Sequence, residues 1–168
     1  MAKNRFSHCF FLFALVASGG AQGASAQNAD AKIKALEAKI DEMKPGLGEI
    51  MGVIQQHHAK LYFSLNAANW DLATYQLDEI GEGFDDVVKY YPHFKEVKAA
   101  LSDLVPRFIK PSLSNLEAAL KKKDKPAALK YFGELTTGCN GCHAAASHPF
   151  ISIQVPHGDE FTNQKFSQ

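Results

Sequence analysis

Apolar residues recur at intervals of three and four along most of this chain, a rhythm that predicts helices. Between Ala29 and Lys44 the apolar positions are Ile33, Leu36, Ile40 and Met43, a short a/d seam that Pro45-Gly46 interrupts. From about Leu47 to Asn66, the residues Leu47, Ile50, Met51, Ile54, His58, Leu61, Tyr62 and Leu65 share one helical face. Asn69 is suited to cap the next helix, whose inward seam is Ala73, Leu77, Ile80, Phe84, Val87 and Tyr91. Gly81 and Gly83 weaken that helix locally, and Pro92 stops it. A third helical region spans about Phe94 to Lys122, with Leu101, Leu104, Val105, Phe108, Leu113, Leu116 and Leu120 on its core side. Pro106 and Pro111 are expected to kink it or divide it in two. Asp124 can cap a last helix, with Pro126 in its first turn, and Ala128, Phe132, Leu135, Cys139 and His143 then fall on one stripe. Beyond Pro149, Ile151, Ile153 and Val155 alternate, which predicts an extended tail. The pattern reads as an all-α protein. It predicts an antiparallel four-helix bundle over residues 47–146, preceded by a short amphipathic helix and linker over 27–46 and followed by an extended tail over 147–168.

The first 26 residues follow a different rule. Lys3 and Arg5 precede an apolar run from Cys9 to Ala17, and Ala24-Ser25-Ala26 makes a small-residue cleavage site. Residues 1–26 therefore read as a secretory signal peptide, too short in its apolar core to anchor in a bilayer. The expected destination is the periplasm, with no membrane insertion after cleavage. Cys9 would leave with the signal, so the mature chain keeps two cysteines.

Those two lie in Cys139-Asn140-Gly141-Cys142-His143. Cysteines separated by two residues and followed at once by histidine are the attachment signature of a c-type haem. Each thiol adds across one vinyl group, and the adjacent imidazole reaches the iron from one face. A disulfide between Cys139 and Cys142, or a zinc site that adds His143 and His148, are weaker readings for an exported chain with histidine at this position. The expectation is one covalent haem c held by Cys139 and Cys142, with His143 as proximal iron ligand.

Charge narrows the partners. Without Lys3 and Arg5 the chain has 16 basic residues against 18 acidic ones. No basic field suggests nucleic acid or an anionic membrane. Lys121-Lys122-Lys123 reads as the cationic end of a helix. The N-terminal seam is too short to hold a coiled coil alone, so packing on the bundle is favoured, with a homodimer as the alternative. No Ser-His-Asp arrangement, acid pair or second metal motif indicates an enzyme.

Only 25 residues follow His143, and none is methionine. The chain thus departs from the small cytochrome c fold and resembles the class II cytochromes c, the cytochrome c′ group and its low-spin relatives. The resemblance covers roughly Leu47 to Ala146 and rests on the late Cys139-Asn140-Gly141-Cys142-His143 motif and its spacing from the turn at Lys123-Asp124. The N-terminal seam and the tail after Ser147 depart from that pattern. The resemblance implies that the first bundle helix builds the face of the haem opposite His143.

Two residues there could ligate the iron. Met51 and His58 both lie within roughly 40° of the centre of the apolar face, whereas His57 sits about 80° away. The two candidates are separated by roughly 10 Å along the axis. In an up-down bundle the start of the first helix lies beside the end of the last, so Met51 is expected level with the haem and His58 deeper. The family's distal register falls between Met51 and Ile54, which makes Ile54 the expected distal wall. His148, His93 and His157 are weaker ligand candidates, and Lys60, Arg107 and Lys110 are candidate partners for the haem propionates. With a sixth ligand, the site would serve an electron carrier that works with a redox partner protein. An open site would bind a small gas such as nitric oxide or carbon monoxide.

Overall fold

A computed structural model describes residues 20–158, 161 and 163–167, with side chains described from residue 26 onward. The described residues are all-α and form six helices: α1 (Gly20–Glu42), α2 (Leu47–Asn66), α3 (Trp70–Tyr90), α4 (Leu101–Phe108), α5 (Lys110–Lys121) and α6 (Lys125–Ala145). Among the described residues, no helix is long and apolar enough to cross a membrane. The chain divides into two units, one ending at Lys44 and one beginning at Pro45.

The first unit contributes α1. Over the described residues this helix already runs from Gly20, upstream of the expected Ala29, and the alanines along that stretch are strong helix formers. It ends at Glu42, just ahead of Lys44, whose helical conformation Pro45 disfavours. Ile33, Leu36, Ile40 and Met43 are exposed. The basic and apolar parts of the expected signal segment, Cys9 included, lie outside the described residues, and Ala24-Ser25-Ala26 falls within α1.

The second unit carries the core. α2 packs against α3, α5 against α6, and α6 also meets α2 and α4. Leu61 and Leu65 of α2, Ile80 and Val87 of α3, Leu116 of α5, and Phe132 and Leu135 of α6 are fully enclosed. The predicted inward faces of α2 and α3 are the buried ones, with Leu47, Met51, Tyr62 and Tyr91 half-buried at their edges.

Three helix ends share one device. After α2, α5 and α6 the chain passes through a left-handed residue, Ala68 (φ 53°), Lys123 (φ 53°) and Ser147 (φ 64°). The next N–H then donates back to the third-last carbonyl of the helix, as Asn69 does to Ser64, Asp124 to Ala119 and His148 to His143. Asn69 and Asp124 also open the following helix, because their side chains accept from the N–H of Leu72 and Ala127. Closing one helix and capping the next with a single residue leaves little slack in the turns before α3 and α6.

The third predicted helical region differs from expectation. Residues 91–100 form a loop that carries Phe94 and Val97 against the core, and the helix starts only at Leu101, whose N–H donates to Pro92 O at 2.9 Å. Pro106 stays inside α4, and the break falls at Ile109. Pro111 has no N–H to offer the Arg107 carbonyl, so the helical ladder lapses there. Phe108, expected in the core, is half-buried.

Two glycines set helix approach. A Cβ on Gly83 would lie 2.6 Å from Ile54 Cγ1, and one on Gly138 would lie 2.3 Å from the Phe108 carbonyl oxygen. Glycine at these positions lets α3 close on α2 and α6 close on the end of α4.

Candidate functional site

α6 presents the motif from within a regular helix. Cys139 and Cys142 are three residues apart and His143 is four beyond Cys139, so all three fall on neighbouring turns of one face. Both cysteines are buried and free. Burial, with a smaller contribution from Cys142, pushes the Cys139 thiol up to about 12, and burial raises Cys142 as well. At neutral pH both are protonated thiols in apolar surroundings.

They open onto a cavity of about 410 Å³, within the size range of cofactor pockets. α6 supplies Cys139, Cys142 and His143, with Ala146 at its C-cap, while α2 supplies Met51, Ile54 and His58. Phe84, the loop residues Phe94 and Val97, and the tail residues Ile151 and Ile153 complete an apolar enclosure. On α2, Gly48 and Gly52 also border it, and a Cβ at either position would meet open space. Met51, Ile54, His58, Cys139, Cys142 and His143, the six residues expected to hold or wall a haem, line this one cavity.

The two α2 candidates differ in their commitments. His58 Nε2 lies 2.9 Å from Thr136 Oγ1, and that hydroxyl donates to the Phe132 carbonyl at 3.0 Å. The hydroxyl proton is therefore spent, and the network assigns the His58 proton to Nε2, as donor to Thr136. The ring packs on Phe132 with centroids 4.4 Å apart. Burial lowers its pKa to about 4, so His58 is neutral at pH 7. Met51 is half-buried, packed against the core and free of any such anchor.

On the α6 side, His143 Nδ1 donates to the Ile151 carbonyl at 2.9 Å. His148 also borders the cavity, and its Nδ1 donates to Ala146 O at 2.7 Å. His57 lies off the cavity, bonded to Gln76 at 2.8 Å and facing Glu79. His93 and His157 are exposed. None of the candidate propionate partners borders the cavity. Lys60 lies over Phe161, Arg107 over Phe108, and Lys110 pairs with Asp85. Sequence reasoning assigned no site role to Phe94 and Val97, which line the cavity, or to Thr136, which bears on it through His58. The alternation of Ile151 and Ile153 predicts an extended tail lying over the bundle or a haem edge, and both residues border the cavity.

Among the described residues, no group of three or more His, Cys, Asp or Glu side chains is gathered to hold a metal ion, so Cys139, Cys142, His143 and His148 do not form a zinc tetrad. The arrangement offers two thiols, an imidazole with its Nε2 uncommitted, and an apolar volume beside them. No family model, curated protein or solved structure matches this chain.

Proposed function

We propose that this chain is an exported, monohaem c-type cytochrome that transfers electrons and is not an enzyme. In this reading α2, α3, the α4–α5 pair and α6 form an antiparallel four-helix bundle of the class II kind. A single observation carries the reading. The cavity that receives Cys139, Cys142 and His143 from α6 also receives Met51, Ile54 and His58 from α2. A haem c bound there supplies a one-electron couple at its iron. Cys139 and Cys142 hold it by thioether bonds, and His143 offers Nε2 as proximal ligand. Ile54 forms the distal wall, and the apolar lining excludes water.

Met51 is the distal ligand of choice in this reading, because the Nε2 proton of His58 is engaged by Thr136 and its ring is stacked on Phe132. Met51 gives up no hydrogen bond to reach the iron. The partner is then a periplasmic redox protein.

A second reading takes support from the same facts. If Met51 packs and His58 stays with Thr136, the wall at Ile54 is apolar and the site binds nitric oxide or carbon monoxide. The visible spectrum of the reduced protein with and without carbon monoxide separates the two. A six-coordinate spectrum unchanged by carbon monoxide is expected for the carrier. Ready binding to a high-spin ferrous haem would replace the carrier with the gas-binding reading.

A further inference from the structure

The tail beyond α6 is tied to the motif at three points. The left-handed turn at Ser147 reverses the chain, closed by the His148 N–H on the His143 carbonyl at 2.7 Å. Ile151 O then accepts from His143 Nδ1 at 2.9 Å. Two residues on, Asn140 grips the tail by both of its amide atoms. Its Nδ2 donates to Ile153 O at 2.8 Å, and its Oδ1 accepts from Ile153 N–H at 2.7 Å. Ile153 and Val155 pack against the core, and Ile151 and Ile153 border the cavity.

Asn140 occupies a position that the attachment motif leaves free. Here it forms a two-pronged clamp on backbone, of the kind a neighbouring strand makes. The backbone between the clamp and the turn is short, so holding Ile153 also fixes where the Ile151 carbonyl lies.

We infer that the Ile151–Ile153 strap, clamped by Asn140, positions His143 as an iron ligand. The bond to Ile151 O keeps the proton on Nδ1 and leaves the Nε2 lone pair available. What one ring nitrogen of a histidine donates to sets the tautomer, orientation and basicity of the other. Asn140 is therefore a positioning residue that acts through the tail. This inference rests on the haem reading above. The more basic imidazole favours the oxidised iron, so the strap should lower the reduction potential.

The test uses the full-length protein expressed in cells that attach haem c, in four forms: wild type, Asn140→Ala, Ile153→Pro and Ile153→Ala. Asn140→Ala removes both prongs, and Ile153→Pro removes the tail's N–H donor. Ile153→Ala keeps both bonds while trimming the packing. The first readout is the mass of covalent haem on the wild type. Its absence overturns the functional reading and this inference with it. With haem present, Asn140→Ala should speed exchange of the Ile153 amide proton about tenfold. Asn140→Ala and Ile153→Pro should each raise the midpoint potential by about 59 mV, a tenfold change in the ratio of oxidised to reduced protein. Ile153→Ala should leave the potential near that of the wild type. An unchanged potential in Asn140→Ala and Ile153→Pro overturns the inference while the haem reading stands. So does an equal shift in Ile153→Ala, which would assign the effect to packing.

Discussion

α6 delivers Cys139, Cys142 and His143 to the cavity within five consecutive residues, whereas α2 delivers Met51, Ile54 and His58 across about two turns. The α6 groups are tied down, with the thiols buried and His143 bonded to the tail. On α2 only His58 is tied, and it is tied to α6 through Thr136. One wall is thus specified by adjacency in the chain and the other by the packing of a helix face. In the proposed haem reading, attachment is therefore readable from a motif, while the choice between an electron carrier and a gas binder hangs on side-chain commitments across the cavity.

The sharpest way to break that comparison is to remove each α2 candidate. Met51→Ala is expected to convert a low-spin spectrum to high-spin, and His58→Ala is expected to leave the low-spin form in place. Visible spectra of the two reduced variants decide it. The reverse pattern would show that His58 abandons Thr136 for the iron.

Acid probes the same contrast at lower cost. Burial holds His58 near 4 in the folded chain against 6.5 in the unfolded one, so the unfolded state binds the extra proton between those values. Its contribution to stability is full above pH 6.5 and falls away as pH drops toward 4. The whole loss is about 3 kcal/mol. Urea unfolding at several pH values should show that slope in the wild type and a flatter one in His58→Gln. Equal slopes would mean that His58 is not held neutral by its site.

A smaller effect tests how closely α6 must approach α4. Gly138→Ala sets a Cβ 2.3 Å from the Phe108 carbonyl oxygen and should cost about 2 kcal/mol, because backbone rather than a flexible side chain must give way. Gly133→Ala on the same helix meets nothing within 4 Å and should gain about 0.5–1 kcal/mol from reduced backbone freedom. Denaturant midpoints at constant m-value measure both. A matching change in the two would show that the α4–α6 approach is slack.

Much of the fold was legible because helical faces repeat at short range. The bounds of α2, the caps at Asn69 and Asp124, and the inward stripes of α3 and α6 all follow from residues within a few positions of one another. The loop at residues 91–100 was not, since its apolar Phe94 and Val97 mimic a helical spacing while the chain is held by a bond to Pro92 O. Gly83 reads as a weak point in α3 and proves to be the place where Ile54 fits.

The sequence by itself determined which residues the proposed haem site would use: two cysteines and a histidine at fixed spacing on a helix, and a facing helix with methionine, isoleucine and histidine on its apolar side. These are local facts, set by covalent order and the 3.6-residue turn. Only the tertiary structure decided what each of them is bonded to. The Thr136 hydroxyl that engages His58, the Ile151 carbonyl that receives Nδ1 of His143, and the Asn140 clamp that holds the tail join residues by folding. Hydrogen bonds depend on distances of about 3 Å between groups, and no periodicity along the chain encodes such distances between separate elements.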